Sequence, residues 1–315
     1  MKKVYKLTPS LHENIWGGTR LGDFGKNTCG KKIGESWELS FVEGAEALAD
    51  GVKLTEAFPK STWGSACEEF DSFPVLTKFI DAGDNLSVQV HPSDEYALEN
   101  EGQYGKTEMW YVIAAEDGAG IYMGLKDPCE PERFASAVAY GSVEELLNFK
   151  EVGAGDVYFI PAGTVHAIGK GVLIFEIQQN STLTYRLYDY MRTDDEGKLR
   201  ELHVEKAMKV SKLEKYEEPQ FDSRDGAVIG RCKYFTARRY SLKQEGVSLF
   251  SEESYISVTC TDGVGEICGI RFSAGDSFFA PAGGGRVEIF GTCDVICISA
   301  GVEKKSIGNI VQLCE

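Results

Sequence analysis

Between Pro74 and Asp189 the apolar residues come in short runs cut by Gly and Pro. The runs predict strands over 75–81, 86–91, 108–115, 120–123, 156–161, 172–178 and 182–189, the spacing of an all-β barrel or sandwich. Two helical inserts interrupt them. Ser93-Asp94-Glu95 offers an N-cap followed by acidic residues, and Ser142-Val143-Glu144-Glu145 fits a capping box. Residues 1–80 read as mixed structure. Trp16-Gly17-Gly18-Thr19-Arg20 is turn chemistry beside an aromatic, Gly34 to Ser40 alternates like a strand, and a short helix over 54–58 would end at Pro59. Residues 201–213 look helical and close a first domain, 1–213. The charged stretch Glu214–Gly226, carrying Pro219, then acts as a linker into a second domain, 214–315.

The polar positions inside the strand pattern carry the chemistry. Ser87, Gln89 and His91 alternate with Val88 and Val90, so a strand there presents three polar side chains on one face and two valines on the other. Glu108 opens the next apolar run, and His166 ends the run that begins at Gly155-Asp156. If the chain brings His166 back beside His91 and Glu108, two imidazoles and one carboxylate converge as a divalent-metal site. The chain has four histidines, and the other two, His12 and His203, read as surface or packing residues.

Composition narrows the partners. At 315 residues, 43% of them hydrophobic, the chain can bury a large core and has room for two domains. A net charge of −16 without any basic block makes nucleic acid and anionic membranes poor partners, and an anionic substrate would need a local group of Lys and Arg. The N-terminus lacks the apolar core of a signal peptide and no stretch approaches a membrane span. Nine cysteines without a CxxC pair fit reduced thiols, and with them a cytoplasmic location; Cys293 and Cys297 sit in an apolar run as core residues. No pattern points to an oligomeric state.

The chain also repeats itself. Gly275-Asp276-Ser277-Phe278-Phe279-Ala280-Pro281-Ala282-Gly283 matches Gly155-Asp156-Val157-Tyr158-Phe159-Ile160-Pro161-Ala162-Gly163, with Arg286 where the first copy has His166. The pattern resembles the second motif of the cupin superfamily. It implies a mostly β bicupin, two small jelly-roll barrels with helical inserts, of which only the first keeps metal chemistry. The likeness sharpens at Ser87–Pro92, Gly105-Lys106-Thr107-Glu108, the segment from Gly155 to Gly169, and Glu176–Asn180 through Thr184–Asp189. With the turns at Trp16-Gly17-Gly18 and Gly34-Glu35-x-Trp37, these segments resemble the short bacterial form of type I mannose-6-phosphate isomerases over the first 210 residues. One departure stands out: the family carries Asp after the serine where this chain has Thr182, which touches the hydrogen bonding around the site but no metal ligand.

The resemblance implies one Zn²⁺ held by Gln89, His91, Glu108 and His166, and interconversion of mannose 6-phosphate and fructose 6-phosphate through an enediol. It assigns Arg186 to stabilising the enediolate, Glu176 to the base, and Ser87, Lys106 and Arg192 to the phosphate of a small sugar phosphate. An ion pair between Glu176 and Arg186 is the plainer alternative. Two other classes compete. The same donor set suits a cupin Fe(II) oxygenase, although those enzymes carry an H-x-H strand with a carboxylate a few residues on. A non-catalytic sugar-phosphate-binding protein is the third, set against the presence of Arg186, Glu176 and all four ligands.

Overall fold

The computed structural model describes residues 4–193, 197–219 and 227–301, together with the backbone of 311–313. The protein is mostly β, built from antiparallel sheets. Two of them face each other. The six-stranded sheet runs Val157–Ile160, Glu108–Ala115, Val172–Gln179, Val75–Asp81, Glu35–Leu39, Ser10–His12. The five-stranded sheet runs Leu147–Glu151, Gly120–Leu125, His166–Ile168, Val88–Val90, Tyr185–Tyr188. The third, ten-stranded sheet has the long strands Phe235–Leu249, Val287–Ala300 and Ile256–Ile267 at its centre. The N-terminal strand Tyr5–Thr8 joins it by pairing with Phe278 and Phe279 of Ser277–Ala280.

The strand sequences follow from this layering. Val75–Asp81 and Val172–Gln179 are buried along their whole length, because sheets or core cover both of their faces. One face of the six-stranded sheet, with Trp110, Val112 and Ile174, packs on Ile121, Met123 and Ile168 of the five-stranded sheet. Its other face, with Phe79, Met109, Phe175 and Ile177, shares a core with Phe235, Phe279, Ile296 and Ile298 of the ten-stranded sheet. That core continues across residues 1–213 and 214–315. Cys293 and Cys297 are buried in a further cluster with Val258, Cys260 and Val295. The outer face of the five-stranded sheet is covered by Phe134, Val138 and Ala207 of two helices.

The helices depart from the sequence pattern in instructive ways. Ser93 does cap the helix Asp94–Glu101, accepting from the Tyr96 amide. Ser142 makes no cap, and only a 3₁₀ turn, Val143–Leu146, follows it. The helix Pro131–Ala139, not marked by any expected cap, starts with Pro at its first position and buries Phe134, Ala137 and Val138. The expected helix over 201–213 is Val204–Val210, and the one over 54–58 is the single turn Leu54–Ala57. The strand expected from Thr182 begins only at Tyr185. Gln178 Nε2 donates to the carbonyls of Gln179 and Ser181, and that side-chain turn bends the chain first. Of the expected linker, 214–219 packs on the first half: the Tyr216 amide donates to Leu125 O and its hydroxyl to Phe159 O, while 220–226 lie outside the described residues.

Candidate metal centre

Sheet register decides which side chains meet. In the five-stranded sheet His166 stands opposite Gln89, and Gln89 opposite Arg186, so the three form one cross-strand row. In the six-stranded sheet Trp110 stands opposite Glu176, Glu176 opposite Lys78, and Glu108 opposite Gln178. Glu108, Trp110, Glu176 and Lys78 therefore share the face that looks toward the five-stranded sheet.

Across the gap, one ligand atom each from His91, Glu108 and His166 lies within 4.8 Å of the other two, the only such group among the described residues. His91 Nε2 is 3.4 Å from Glu108 Oε2, and His166 Nε2 is 3.3 Å from Glu108 Oε1. All three residues are at most 1% exposed. Each imidazole is fixed from behind: Nδ1 of His91 lies 2.8 Å from the Leu183 carbonyl and Nδ1 of His166 2.8 Å from the Thr164 carbonyl. Those bonds put the proton on Nδ1 and aim the Nε2 lone pairs at a carboxylate, the arrangement found around metal-ligating histidines. His91 Nε2 and both Glu108 oxygens are buried with no hydrogen-bond partner among the described residues. Lys106 Nζ forms an ion pair with Glu108 Oε2 at 2.8 Å. Buried lone pairs facing one another call for a cation between them, and two imidazoles with a carboxylate suit zinc.

The surrounding charges form one network. Lys106 Nζ also lies 3.4 Å from Glu176 Oε1, and Lys78 Nζ lies 3.9 Å from the same oxygen and 3.1 Å from Glu35 Oε2. Trp110 Nε1 donates to Glu176 Oε2 at 3.2 Å. Burial, then the Lys106 charge, pushes His91 down to about 3, and burial lowers His166 as well, so both imidazoles are neutral and ligand-ready. Burial by itself would raise Glu108, but Lys106, His91 and His166 together outweigh it and hold the carboxylate well below its usual range. Burial and the Glu108 charge raise Glu176. Burial opposes the charge on Lys106, yet Glu108 and Glu176 together hold it above the usual ammonium range.

Of the residues expected from sequence, Gln89, His91, Lys106, Glu108, His166 and Glu176 are gathered here. Ser87 donates to Gln89 Oε1 at 3.4 Å, and Gln89 Nε2 lies 3.4 Å from His166 Nε2. Glu176 has lysines for ion partners, while Arg186 Nη1 donates to the Glu201 carbonyl at 2.9 Å. His203 is more than a packing residue. Its Nδ1 accepts the Arg186 amide and its own amide donates to Arg186 O, so both backbone groups of Arg186 are bonded to it. Arg192 is turned toward its own loop, bonded to Asp189 and at 2.5 Å to the Asn85 carbonyl. Thr182 is exposed. Lys78, Glu35 and Trp110 were not assigned to the site from sequence; a lysine within the mostly apolar run Val75–Asp81 was the available signal.

The structure defines an antiparallel β-protein with a buried two-histidine, one-carboxylate cluster between its sheets. Residues 4–108 match the family described as phosphomannose isomerase type I, catalytic domain. Mannose-6-phosphate isomerase ManA of Bacillus subtilis is 36% identical over 304 residues, covering 91% of this chain and 96% of the relative. The crystal structure of the mannose 6-phosphate isomerase from Bacillus subtilis superposes with a TM-score of 0.85 at 33% identity, covering 94% of this chain and 99% of that one. A zinc-bound mannose 6-phosphate isomerase structure shares the fold, with a TM-score of 0.77 at 16% identity and coverage of 95% and 100%. This chain belongs to the type I phosphomannose isomerase family and is an isomerase. Among the described residues no helix is long and apolar enough to cross a membrane.

Proposed function

We propose that the chain interconverts mannose 6-phosphate and fructose 6-phosphate through an enediol, using one Zn²⁺ held by His91, Glu108, His166 and Gln89. The observation that carries this reading is the buried convergence of His91 Nε2, His166 Nε2 and Glu108, with both Nδ1 atoms bonded to backbone carbonyls. A half turn of the Gln89 amide exchanges its two ends and brings Oε1 to the place beside His166 Nε2 that a fourth ligand needs. When bound, the metal supplies a Lewis acid that orients the sugar oxygens and offsets the negative charge that develops on them.

The protein's own groups divide the remaining work. Glu176 is the base: it takes the proton from the hydroxyl-bearing carbon beside the carbonyl and returns it to the former carbonyl carbon, while the hydroxyl proton passes to the former carbonyl oxygen. Trp110 holds one of its oxygens, and its raised pKa suits a proton acceptor. Lys106, expected with Ser87 and Arg192 at the phosphate, is instead buried between Glu108 and Glu176, and keeps the two nearby carboxylates ionised and apart. Arg186, beside Gln89 in the ladder, is the cation for the enediolate, and a guanidinium stays charged at any working pH. Ser87 and Arg192 mark the phosphate side, where Arg192 would exchange its Asn85 carbonyl for a phosphate oxygen. We further propose the bicupin arrangement, with 1–213 as the catalytic unit and 214–315 as the second barrel.

A coupled assay for fructose 6-phosphate together with metal analysis tests this reading. About one zinc per chain is expected, with activity lost on chelation and recovered on adding Zn²⁺. Iron in the site with oxygen-dependent turnover would overturn it in favour of an oxygenase, and bound sugar phosphate without turnover in favour of a binding protein.

A further inference from the structure

Tyr234 lies between the strands Val228–Arg231 and Phe235–Leu249 of the ten-stranded sheet, far along the chain from every residue of the metal centre. Its side chain is nonetheless buried, packed on Phe70 with ring centroids 5.3 Å apart, and its hydroxyl donates to Asp94 Oδ2. Asp94 is three residues past His91. Its other oxygen, Oδ1, accepts the Gly105 amide at 2.9 Å and Gln179 Nε2 at 2.9 Å.

Those partners lead directly into the site. Gly105 opens the segment Gly105-Lys106-Thr107-Glu108, and Gln179 follows Glu176 on the same strand. The segment is laced on both sides: the Lys106 amide donates to the Pro92 carbonyl at 3.0 Å, the Thr107 amide to Gln179 Oε1 at 2.7 Å, and the Gln179 amide to Thr107 O at 3.0 Å. The fit around Gly105 leaves no slack, since a Cβ there would stand 2.4 Å from Pro92 O and 2.5 Å from Ser93 C. One carboxylate thus joins the stretches that carry His91, Glu108 and Glu176, and a tyrosine from the ten-stranded sheet supplies its third hydrogen bond.

We propose that Tyr234 is a positioning residue for the metal centre, acting through Asp94 on the Gly105–Glu108 segment. The inference rests on the assignment of His91, Glu108 and His166 as zinc ligands. Without the hydroxyl, Asp94 Oδ2 loses its partner, the carboxylate is free to rotate, and the amide of Gly105 loses a fixed acceptor. The backbone that aims Glu108 then has a wider range of positions. Lost outer-shell partners of metal ligands cost about 10- to 100-fold in affinity or activity.

The test compares Tyr234→Phe with Tyr255→Phe in the full chain. Tyr255 is also fully buried in the second half, and its hydroxyl has no hydrogen-bond partner among the described residues. Zinc affinity is measured by competition with a chelator, and protection of the Gly105 amide by hydrogen exchange. Tyr234→Phe should weaken zinc by ~10-fold and speed exchange at Gly105, while Tyr255→Phe does neither. Asp94→Asn should weaken zinc by a similar factor, and the double variant Tyr234→Phe/Asp94→Asn by no more than Asp94→Asn, as for two links of one chain. Zinc affinity within twofold of wild type in Tyr234→Phe overturns the proposal, whatever the exchange rate. If wild-type protein bound no zinc, the assignment of the ligands would fall; the Gly105 amide would then decide the tether, unchanged exchange in Tyr234→Phe refuting it and faster exchange supporting it.

Discussion

The segments 155–166 and 275–286 begin as the same object and end as different ones. In both, the first glycine takes a left-handed φ, 93° at Gly155 and 92° at Gly275. In both, that glycine's amide donates to the neighbouring strand, to Val112 O at 2.9 Å and to Cys260 O at 2.8 Å. The following aspartate closes the turn in the same way: Asp156 Oδ2 accepts the Gly153 amide and Asp276 Oδ2 the Ser273 amide, each at 2.9 Å. The divergence is in what the strands present. Ile160 stands opposite Glu108 and Trp110 opposite Glu176; at the matching positions Ala280 stands opposite Ile256 and Val258 opposite Cys297. His166 is fully buried, whereas Arg286 is exposed. The turn is backbone chemistry and survives whatever the strands carry. A buried carboxylate is tolerable only with its cation and its lysine, so a copy without that cluster is better filled with Ile, Val and Cys.

That contrast can be broken at three points. The largest effect is expected at Glu176, the counterpart of Cys297. Glu176→Gln keeps the shape and the Trp110 bond but removes the basic oxygen. We expect kcat to fall by ~100- to 1,000-fold with zinc content unchanged, and exchange of the substrate C2 proton with deuterated water to stop. Exchange at the wild-type rate would move the base elsewhere.

A smaller effect is expected at Lys106, whose matching position in the second copy is Ser254, which hydrogen-bonds the backbone. Lys106→Met leaves Glu108 and Glu176 facing each other without the ammonium between them. Because Nζ is buried against both carboxylates, mannose and mannose 6-phosphate should lose kcat/KM alike, by ~10-fold, within the range of lost partners of metal ligands. A loss confined to the phosphorylated sugar would instead make Lys106 a phosphate contact.

The smallest effect is expected at Arg286. Arg286→His restores the histidine of the motif but not the carboxylate, since Ile256 and Cys297 remain. Zinc should stay at about one per chain and stability within ~0.5 kcal/mol of wild type, as for other surface substitutions. A second equivalent of zinc would mean that the histidine alone makes the site.

What the chain decides locally was legible before folding. The Ser87-x-Gln89-x-His91 alternation puts its polar residues on one face because a strand has a period of two, and Ser93 caps its helix because its side chain serves the adjacent amides. The glycines of both copies sit where φ is left-handed, and the two histidines with a carboxylate in strand positions announced a metal site. Burial across partner strands was not legible. Glu176 has Lys106 and Lys78 for partners, where a pairing with Arg186 was the plainer expectation, because Lys78 enters from a strand about a hundred residues earlier whose place is set by sheet register. Arg192 is held by Asp189 and by the distant Asn85 carbonyl, and Ser142 turns back to the Ala137 carbonyl of the preceding helix instead of capping the turn that follows it. The bond from Tyr234 to Asp94 spans 140 positions. Hydrophobic periodicity reports which face a residue occupies; only the packing of sheets brings the charges of two faces to one point, and that depends on contacts no local pattern encodes.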